Sequence, residues 1–474
     1  MITSMAWVPK GAARTTPLRY ELSAEERERV RQMAAQEVVS KKTGKDGEEQ
    51  EHTASGHTFT QGGAMETDDA TLEEFNLDDY DEDEEGQALH KINYEDADDG
   101  QMLLDVGDQA VAIGVDSEEE DDDADDNEIR PTDSLFVVAH TDDEDSHIEV
   151  QLYNEAEGSL YVHHDIYLPE FPLSVAWMDC PPYLNDGTQM TVGNYLAVGT
   201  FSPAIEIWNL DVLDPLEPSA TLGGEATGKK KKKSGPQFAP GSHTDSVLGL
   251  SWNKSFRQAL ASASADKNVK IWDVTTQACS HTFQHHTDKV QNVLWHPTEG
   301  WLLASASFDK TVAMFDCRTG ATALSARIGS DPESLAWNPN EPNHLYCSLE
   351  DGLVVCIDVR QAGANKGPIN PLFSFRAHEE TTSSVSFSTL VPGMMATSSV
   401  DQTVKVWDIL AASKGSGSPH PVAYKTMNVG KIFAMNYSAD VPYLLACGGD
   451  AGVVAVWESD ELDVIRKYFS GREP

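Results

Sequence analysis

The sequence contains few cysteines and no long apolar run. Its 474 residues include six cysteines, and no pair of them has the C-x-x-C spacing of a metal or redox motif. We therefore expect small buried thiols, with no disulfide framework, no metal site and no cofactor. No apolar stretch approaches the roughly 18 residues of a membrane helix, and the first residues lack the pattern of a secretory signal. These absences predict an intracellular, soluble chain with no membrane contact.

Basic residues are also scarce. The sequence holds 34 lysines and arginines against 78 aspartates and glutamates, which gives a formal charge of −44. A molecule with this charge repels nucleic-acid phosphates and anionic lipids, and it attracts basic proteins. The charge balance argues against a general DNA or RNA clamp.

Catalytic motifs are missing as well. The sequence has no Walker loop, no G-x-S-x-G, no H-E-x-x-H and no dinucleotide fingerprint. Two His-His pairs, at 163–164 and 285–286, lie in strand-like segments, where neighbouring side chains point to opposite faces. Each pair is therefore expected to present at most one ring to any site. The sequence predicts a protein that is not an enzyme.

A repeat of about 40 to 50 residues organises the chain. The segments ALASASADKNVKIWD, LLASASFDKTVAMFD and MMATSSVDQTVKVWD each predict a strand, a tight turn holding Asp, and a second strand. In six places an inner strand that ends in an aromatic residue precedes such a pair. Those aromatic residues are Trp177, Trp252, Trp295, Trp337, Phe387 and Tyr437. The pattern predicts six four-stranded blades of a β-propeller.

The opening residues, MITSMAWVPKG, have the pattern of one more inner strand. Three alternating segments, SLFVVAH, HIEVQLYN and LYVHHDIYL, would supply the other strands of that blade. We therefore predict an all-β fold, a seven-bladed propeller whose first blade is split. Residues 1–10 are its inner strand, residues 11–130 are an insertion, and residues 131–474 complete the propeller.

The last blade is expected to end in an outer strand formed by DVIRKYF, at 463–469. Closure of the ring would then rely on packing between the first and last blades.

These repeats resemble those of the WD40 family. The resemblance is carried by H-T-D before two inner strands, by an Asp in the turns, and by W-D at the end of two third strands. In that family, a His, a Ser or Thr, the turn Asp and the Trp form a buried hydrogen-bonded network. The resemblance implies three such networks: His243, Ser262, Asp266 and Trp272; His286, Ser305 and Asp309, with Phe315 in place of the Trp; and His378, Thr397, Asp401 and Trp407. The blades without the His are expected to have partial networks or none.

The insertion carries a predicted helix and an acidic tract. Ser23 and Glu26 form a capping box that opens a helix over about 23–39. Residues 66–126 hold 27 acidic residues and one lysine, and a segment of this composition cannot bury enough apolar surface to collapse. We therefore expect a largely disordered insertion.

Two interpretations of the acidic tract stay open. One is a solvated spacer, and the other is a segment that folds onto a basic partner through apolar residues set among the acid. Those residues are Phe75, Leu77, Tyr80, Tyr94 and Leu103. Ser117 precedes EEEDDD, which suits an acidophilic kinase and predicts a phosphorylation site.

A basic run interrupts the connection at 223–242. It consists of Lys229, Lys230, Lys231, Lys232 and Lys233. A solvated loop, a nuclear import signal and a contact with rRNA phosphates are all consistent with it. In a WD40 propeller, outer-to-inner loops and inner-to-second-strand loops leave opposite faces, so this loop and the insertion are expected on opposite faces.

Over its whole length the chain is similar to the periodic tryptophan protein 1 family of WD40 proteins. The similarity rests on an S-x-x-W-V-x-x-G strand at 4–11, the helix at 22–39, and the element NLDDYD at 76–81. It implies a non-enzymatic nuclear and nucleolar scaffold in the assembly of the large ribosomal subunit precursor and in rRNA processing. The implied partners are basic assembly factors, ribosomal proteins and pre-rRNA within particles, with the chain itself monomeric inside a larger complex.

Two alternative functions compete with this one. The first is a histone or chromatin-binding protein, because the N-terminal helix and the acidic loop could grip a basic histone tail. FDCR, at 315–318, and IDVR, at 357–360, have the Asp-x-Arg that substrate receptors of cullin ubiquitin ligases carry after their Trp.

Overall fold

The structure is a computed structural model. It describes residues 1–20, 102–105, 110–113, 128–142, 145–183, 192–226, 237–361, 369–410 and 418–472. The chain divides into two compact units, one of residues 1–20 with 127–474 and one of residues 21–126.

The larger unit is a seven-bladed β-propeller, which confirms the predicted fold. In chain order, the first elements are β1 (Ile2–Val8), β2 (Leu18–Arg19), β3 (Met102–Asp105), β4 (Ala110–Ile113), β5 (Ser134–Thr141), β6 (Ser146–Asn154), β7 (Ser159–Leu168), β8 (Pro172–Met178), β9 (Tyr195–Thr200), β10 (Ala204–Asn209), β11 (Val212–Leu213), β12 (Ala220–Gly223), β13 (Val247–Trp252), β14 (Ala259–Ser264), β15 (Val269–Asp273) and β16 (Ala278–Phe283). They are followed by β17 (Val290–Trp295), β18 (Leu302–Ser307), β19 (Thr311–Asp316), β20 (Ala321–Arg327), β21 (Pro332–Trp337), β22 (His344–Leu349), β23 (Leu353–Asp358), β24 (Phe373–Arg376), β25 (Thr382–Phe387), β26 (Met394–Ser399), β27 (Thr403–Asp408), β28 (His420–Thr426), β29 (Ile432–Tyr437), β30 (Leu444–Gly449), β31 (Val454–Glu458) and the helix α1 (Asp463–Phe469).

Each blade is an antiparallel sheet read from the inner strand outward. The blades are β1-β5-β6-β7, β8-β9-β10-β12, β13 to β16, β17 to β20, β21 to β24, β25 to β28 and β29 to β31, numbered here as blades 1 to 7. The second strands are buried on both sides, as the burial of every residue of β22 and β26 shows. Small residues such as Ala304 and Ala306 allow neighbouring sheets to pack closely there.

The first blade is built from two distant parts of the sequence. Strand β1 pairs antiparallel with β5, with Met5 opposite Val138 and Trp7 opposite Phe136. Ile2 is fully buried, because its side chain lies against the backbone of blade 7 at Gly448. The opening residues are therefore the inner strand of blade 1, and the insertion separates them from the rest of it.

The ring closes by packing and hydrogen bonds between blades 1 and 7. The indole of Trp7 donates to the carbonyl oxygen of Asn436 (3.0 Å), and the amide of Asn436 donates to the carbonyl of Met5 (3.1 Å). Farther out, the hydroxyl of Tyr153 donates to Glu458 (2.8 Å). No strand crosses from one blade into the other among the described residues.

The prediction of an outer strand at 463–469 is wrong, because these residues form the helix α1. Ile465 and Phe469 are buried and lie four residues apart, which is one face of a helix, while Lys467 between them is exposed. A strand would have placed Lys467 on the buried side. In the described part of the chain, blade 7 consequently has three strands.

Helix α1 is held against blade 6 by the residues that follow it. The guanidinium of Arg472 donates to both carboxylate oxygens of Asp408 (3.1 and 2.9 Å) and lies over the rings of Tyr468 and Phe469. The hydroxyl of Tyr468 donates to the same carboxylate (3.1 Å). These contacts keep the pKa of Asp408 below its usual value, against the effect of burial.

The start of the insertion is attached to blade 2. Strand β2 pairs in parallel with β11, and the backbone N–H of Leu18 donates to the carbonyl of Asp211 (2.7 Å). The returning chain is attached nearby, since the N–H of Ile129 donates to the carbonyl of Thr15 (2.8 Å). Both ends of the insertion therefore leave the propeller at the same edge.

Within the unit of residues 21–126, the structure describes one antiparallel hairpin, β3 with β4. It pairs Leu103 with Ala112. The predicted helix at 23–39, most of the acidic tract, Phe75, Leu77, Tyr80, Tyr94 and Ser117 lie outside the described residues. The described helix α1, at seven residues, is too short to cross a bilayer.

Candidate functional site

The strand order defines two faces of the propeller. One face carries the turns between second and third strands and the connections from each outer strand to the next blade, and we call it the tetrad face. We call the insertion face the opposite one, with the loops between inner and second strands, including Pro9 to Asp133. Both ends of the connection at 223–242 lie at the tetrad face, where Glu225 and Phe238 form a bridge. Lys229 to Lys233 themselves lie outside the described residues.

Blade 3 contains a complete hydrogen-bonded tetrad. The indole of Trp272 donates to the hydroxyl of Ser262 (2.9 Å), which lies 2.7 Å from Nε2 of His243, and Nδ1 of His243 lies 2.9 Å from Asp266. Burial lowers the pKa of His243, so the ring is neutral. Burial acts to raise the pKa of Asp266, but hydrogen bonds from His243 and two backbone amides outweigh it and keep this carboxylate ionised. Each group in the chain thus donates one proton to the next, ending at Asp266.

Blade 6 repeats the tetrad and blade 4 has three of its members. His378 lies 2.8 Å from Asp401 and 2.9 Å from Thr397, which accepts from Trp407 (3.0 Å). In blade 4, His286 lies 2.9 Å from Asp309 and 2.7 Å from Ser305. Phe315, at the fourth position there, instead stacks on Phe283 with ring centroids 4.4 Å apart. The histidines, the hydroxyl groups and the aromatic rings of these networks are buried inside the blades, while Asp309 and Asp401 are partly exposed in their turns.

The blades without this His differ from one another. The indole of Trp208 in blade 2 donates to Glu206 (3.1 Å), whose pKa is raised by burial. The indole nitrogen of Trp457 in blade 7 is buried with no hydrogen-bond partner in the described structure, and Lys425 lies over its ring at 5.1 Å.

The tetrad face of blades 5 and 6 is strongly acidic. Glu350 and Asp351 occupy the turn between β22 and β23, and Glu379 and Glu380 precede β25; all four side chains belong to exposed residues. Beneath them, Glu333 is half-buried, and its pKa rises to about 7 because of desolvation and the nearby charges of Glu350 and Asp331. We call the four exposed residues the acidic rim. Its potential attracts cationic side chains of a partner.

A channel runs along the axis of the ring. All seven inner strands line it, and its cavity has a volume of ≈ 380 Å³ with mainly polar walls. Glu333 lies in this lining. Glu333 lies on the same side of blade 5 as the acidic rim, near Glu350. Protonation of its carboxylate near neutral pH therefore changes the charge of the tetrad face.

On the insertion face, the channel opens into an aromatic pocket. Its volume is ≈ 460 Å³, and its walls include Trp252, Trp295, Trp337 and Phe387, the residues that end four inner strands. The indole nitrogen of Trp337 is buried there with no hydrogen-bond partner in the described structure. The sequence pattern placed these aromatic residues at the ends of inner strands but did not predict the pocket, because only the ring geometry brings four separate repeats together.

The two Asp-x-Arg motifs also lie on the insertion face. Arg318 makes a bidentate pair with Asp316 (3.0 and 2.8 Å), and Arg360 makes one with Asp358 (2.9 and 2.8 Å). Arg318 additionally lies over the ring of Trp301 at 4.6 Å. Both guanidinium groups are exposed, and each is oriented by the carboxylate of its own motif.

One expectation about histidines is wrong. A β-bulge shifts the register of β7, so that Val150 pairs with His164 and Gln151 pairs with Val162. The Nδ1 atoms of His163 and His164 consequently lie 2.7 Å apart instead of on opposite faces. Burial and the neighbouring ring lower the pKa of His164 to about 4.

Comparisons with known proteins agree with the geometry. The family pattern described as WD domain, G-beta repeat matches residues 236–273, 277–316 and 369–408, which are blades 3, 4 and 6. A WD repeat-containing protein of Schizosaccharomyces pombe is 39% identical over 493 aligned positions, covering 100% of this chain and 91% of that protein. Periodic tryptophan protein 1 homolog of Drosophila melanogaster is 29% identical over 95% of this chain and 92% of its own length. Periodic tryptophan protein 1 of Saccharomyces cerevisiae is 28% identical over 99% of this chain and 90% of its own length.

Proposed function

Because the chain belongs to the WD40-repeat family and is similar over nearly its whole length to periodic tryptophan protein 1, we propose that it is a non-enzymatic scaffold in ribosome biogenesis. The observation that carries the proposal is the match to that protein in two organisms, which extends through the insertion as well as the repeats. The scaffold would act in the nucleus and nucleolus during assembly of the large ribosomal subunit precursor.

The charge of the protein supports basic partners. Ribosomal proteins and factors that bind rRNA carry many lysines and arginines, and the formal charge of −44 favours their association. The acidic rim concentrates four carboxylates on one face of the propeller. We infer that this face holds a basic assembly factor or ribosomal protein, with pre-rRNA present in the same particle.

The insertion and the basic run would extend these contacts. Phe75, Leu77, Tyr80, Tyr94 and Leu103 supply apolar anchors within acidic sequence, which suits a segment that folds onto a basic surface. Lys229 to Lys233 supply the complementary charge for rRNA or for an import receptor. Phosphorylation of Ser117 would deepen the negative charge.

Affinity purification from nuclear extract tests the proposal. We expect the tagged full chain to recover precursor particles of the large subunit, identified by their RNA and protein content. Recovery of histones without pre-rRNA would instead support the chromatin-binding alternative. Recovery of a cullin ligase, lost when Arg318 and Arg360 are replaced with alanine, would support the ubiquitin-ligase alternative.

A matched pair of variants tests the acidic rim. Glu379→Gln with Glu380→Gln removes two charges from the tetrad face, and Glu157→Gln with Glu299→Gln removes two from loops of the insertion face. We expect the first pair to reduce particle recovery and the second to leave it unchanged. Equal recovery with both pairs would place the partner elsewhere on the molecule.

A further inference from the structure

Strands β5 and β6 bring two histidines and a glutamate together on one face of blade 1. His140 lies opposite His147 in the ladder, and Glu149 follows His147 by two residues on the same side of the sheet. Nδ1 of His140 lies 3.1 Å from Nε2 of His147. Oε1 of Glu149 lies 3.2 Å from the first nitrogen and 3.3 Å from the second. The three side chains are largely buried, with exposed fractions of 16%, 15% and 14%.

Hydrogen bonding alone satisfies this triangle poorly. If each histidine donates to Oε1 of Glu149, two edges of the triangle are hydrogen bonds, but the two N–H groups then face each other across the 3.1 Å edge between His140 and His147. Donors bonded to Zn²⁺ at about 2.0 to 2.1 Å are separated by roughly 3.3 Å in tetrahedral geometry and by about 2.9 Å in octahedral geometry. The observed sides of 3.1 to 3.3 Å fall between these two values.

The carboxylates beside the triangle favour a cation. The amide of Gln151 donates to Oε2 of Glu149 (2.6 Å), which leaves Oε1 directed at the histidines. Asp165 lies opposite Glu149 in the β6–β7 ladder, and its Oδ1 is buried with no hydrogen-bond partner in the described part of the chain. A bound cation would stabilise both carboxylates.

We propose that His140, His147 and Glu149 bind one divalent transition-metal ion of the Zn²⁺ class. Two imidazoles and one carboxylate are a donor set that zinc and iron use in proteins, with a further position left for water. The site is next to blade 7, where Gly452, at φ 71°, lies so close that a Cβ would come within 2.9 Å of Nε2 of His140. The ion would tie the β5–β6 hairpin beside the closure of the ring.

Zinc binding by the full-length protein tests this site, independently of any role in ribosome assembly. The purified chain is stripped with a chelator, and Zn²⁺ is titrated against a chromophoric chelator with excess Mg²⁺ present to occupy the acidic insertion. We expect one tight equivalent in the wild type. Replacing His140→Gln or Glu149→Gln should weaken that equivalent at least tenfold. His281→Gln, at an exposed histidine on β16, is the matched control and should bind like the wild type.

A second measurement needs no variant. One equivalent of Zn²⁺ should protect His140 and His147 of the wild-type protein from diethylpyrocarbonate, while His281 reacts equally with and without the ion. Co²⁺ in place of Zn²⁺ should give visible absorption bands of a four- or five-coordinate nitrogen site. Equal zinc binding by the wild type and Glu149→Gln, or equal modification of His140 with and without zinc, would overturn the proposal and mean adventitious binding elsewhere.

Discussion

Replacing Asp266 with alanine should destabilise the propeller because it leaves the buried imidazole of His243 without a hydrogen-bond acceptor. Asp266 accepts hydrogen bonds from Nδ1 of His243 and from the backbone amides of Thr244 and Asn268. The imidazole of His243 is fully buried, so its Nδ1–H cannot reach water once the carboxylate is gone. The amide of Asn268 lies in the turn after β14 and that of Thr244 in the loop before β13, and at both places water can replace the carboxylate.

The size of the effect follows from these partners. An orphaned buried donor costs about 1–3 kcal/mol, and the two amides add a few tenths each, so we expect about 2–3 kcal/mol for Asp266→Ala. Trp272→Phe removes one hydrogen bond to Ser262 and part of the packed volume, for about 1–2 kcal/mol. Blade 4, which carries Phe315 at the same position, indicates that the fold accommodates this change.

Asp245→Ala is the control, in the loop that joins His243 to β13. Asp245 is exposed and accepts from the backbone N–H of Ser246 (2.8 Å), so its loss should cost less than about 0.5 kcal/mol. Urea unfolding followed by far-ultraviolet circular dichroism avoids the change in fluorescence that Trp272→Phe causes. The reasoning would be refuted by an Asp266→Ala variant as stable as Asp245→Ala, because the buried imidazole would then have found another partner.

Three further changes test other parts of the structure. Arg472→Ala should loosen helix α1 and lower the stability measured in a thermal melt by about 1–2 kcal/mol. The control Arg466→Ala, at an exposed ion pair, should leave it unchanged, and equal effects of the two variants would contradict the contact between Arg472 and blade 6. The pKa of His164 is about 4 in the folded protein and near 6.5 in the unfolded chain, so its contribution to the free energy of unfolding is complete above pH 6.5 and is lost as the pH falls towards 4. Between pH 7 and pH 4.5 the loss amounts to about 2–3 kcal/mol. Urea titrations at these two pH values should show this loss in the wild type and not in His164→Gln. Deleting residues 1–9 removes β1 and should give an insoluble or low-melting protein, whereas deleting residues 66–126 should leave the melting midpoint nearly unchanged. If the shorter deletion had the higher melting midpoint, β1 would be dispensable.

The seven repeats could be predicted from the sequence because the blades share a pattern of residues that interact within one blade. An inner strand that ends in an aromatic residue, a buried second strand of small residues and a turn Asp recur with a steady period, and each depends on neighbours within the same blade. For this reason the opening strand with Trp7 could be assigned to a blade even though the insertion separates it from β5. The network positions at His243 and Asp266 were readable on the same grounds, from their similarity to the WD40 repeats.

The tertiary structure decided what depends on register and on contacts between blades. DVIRKYF is compatible with a strand or a helix over so few residues, and the surface of blade 6 that buries Ile465 and Phe469 selected the helix. His140 and Glu149 are nine positions apart in the sequence, and they meet only because the β5–β6 hairpin pairs His140 with His147. A shift of that register by one residue would send the two histidines to opposite faces. The repeat unit is therefore local information, whereas the polar cluster of blade 1 and the aromatic pocket exist only once distant strands are aligned.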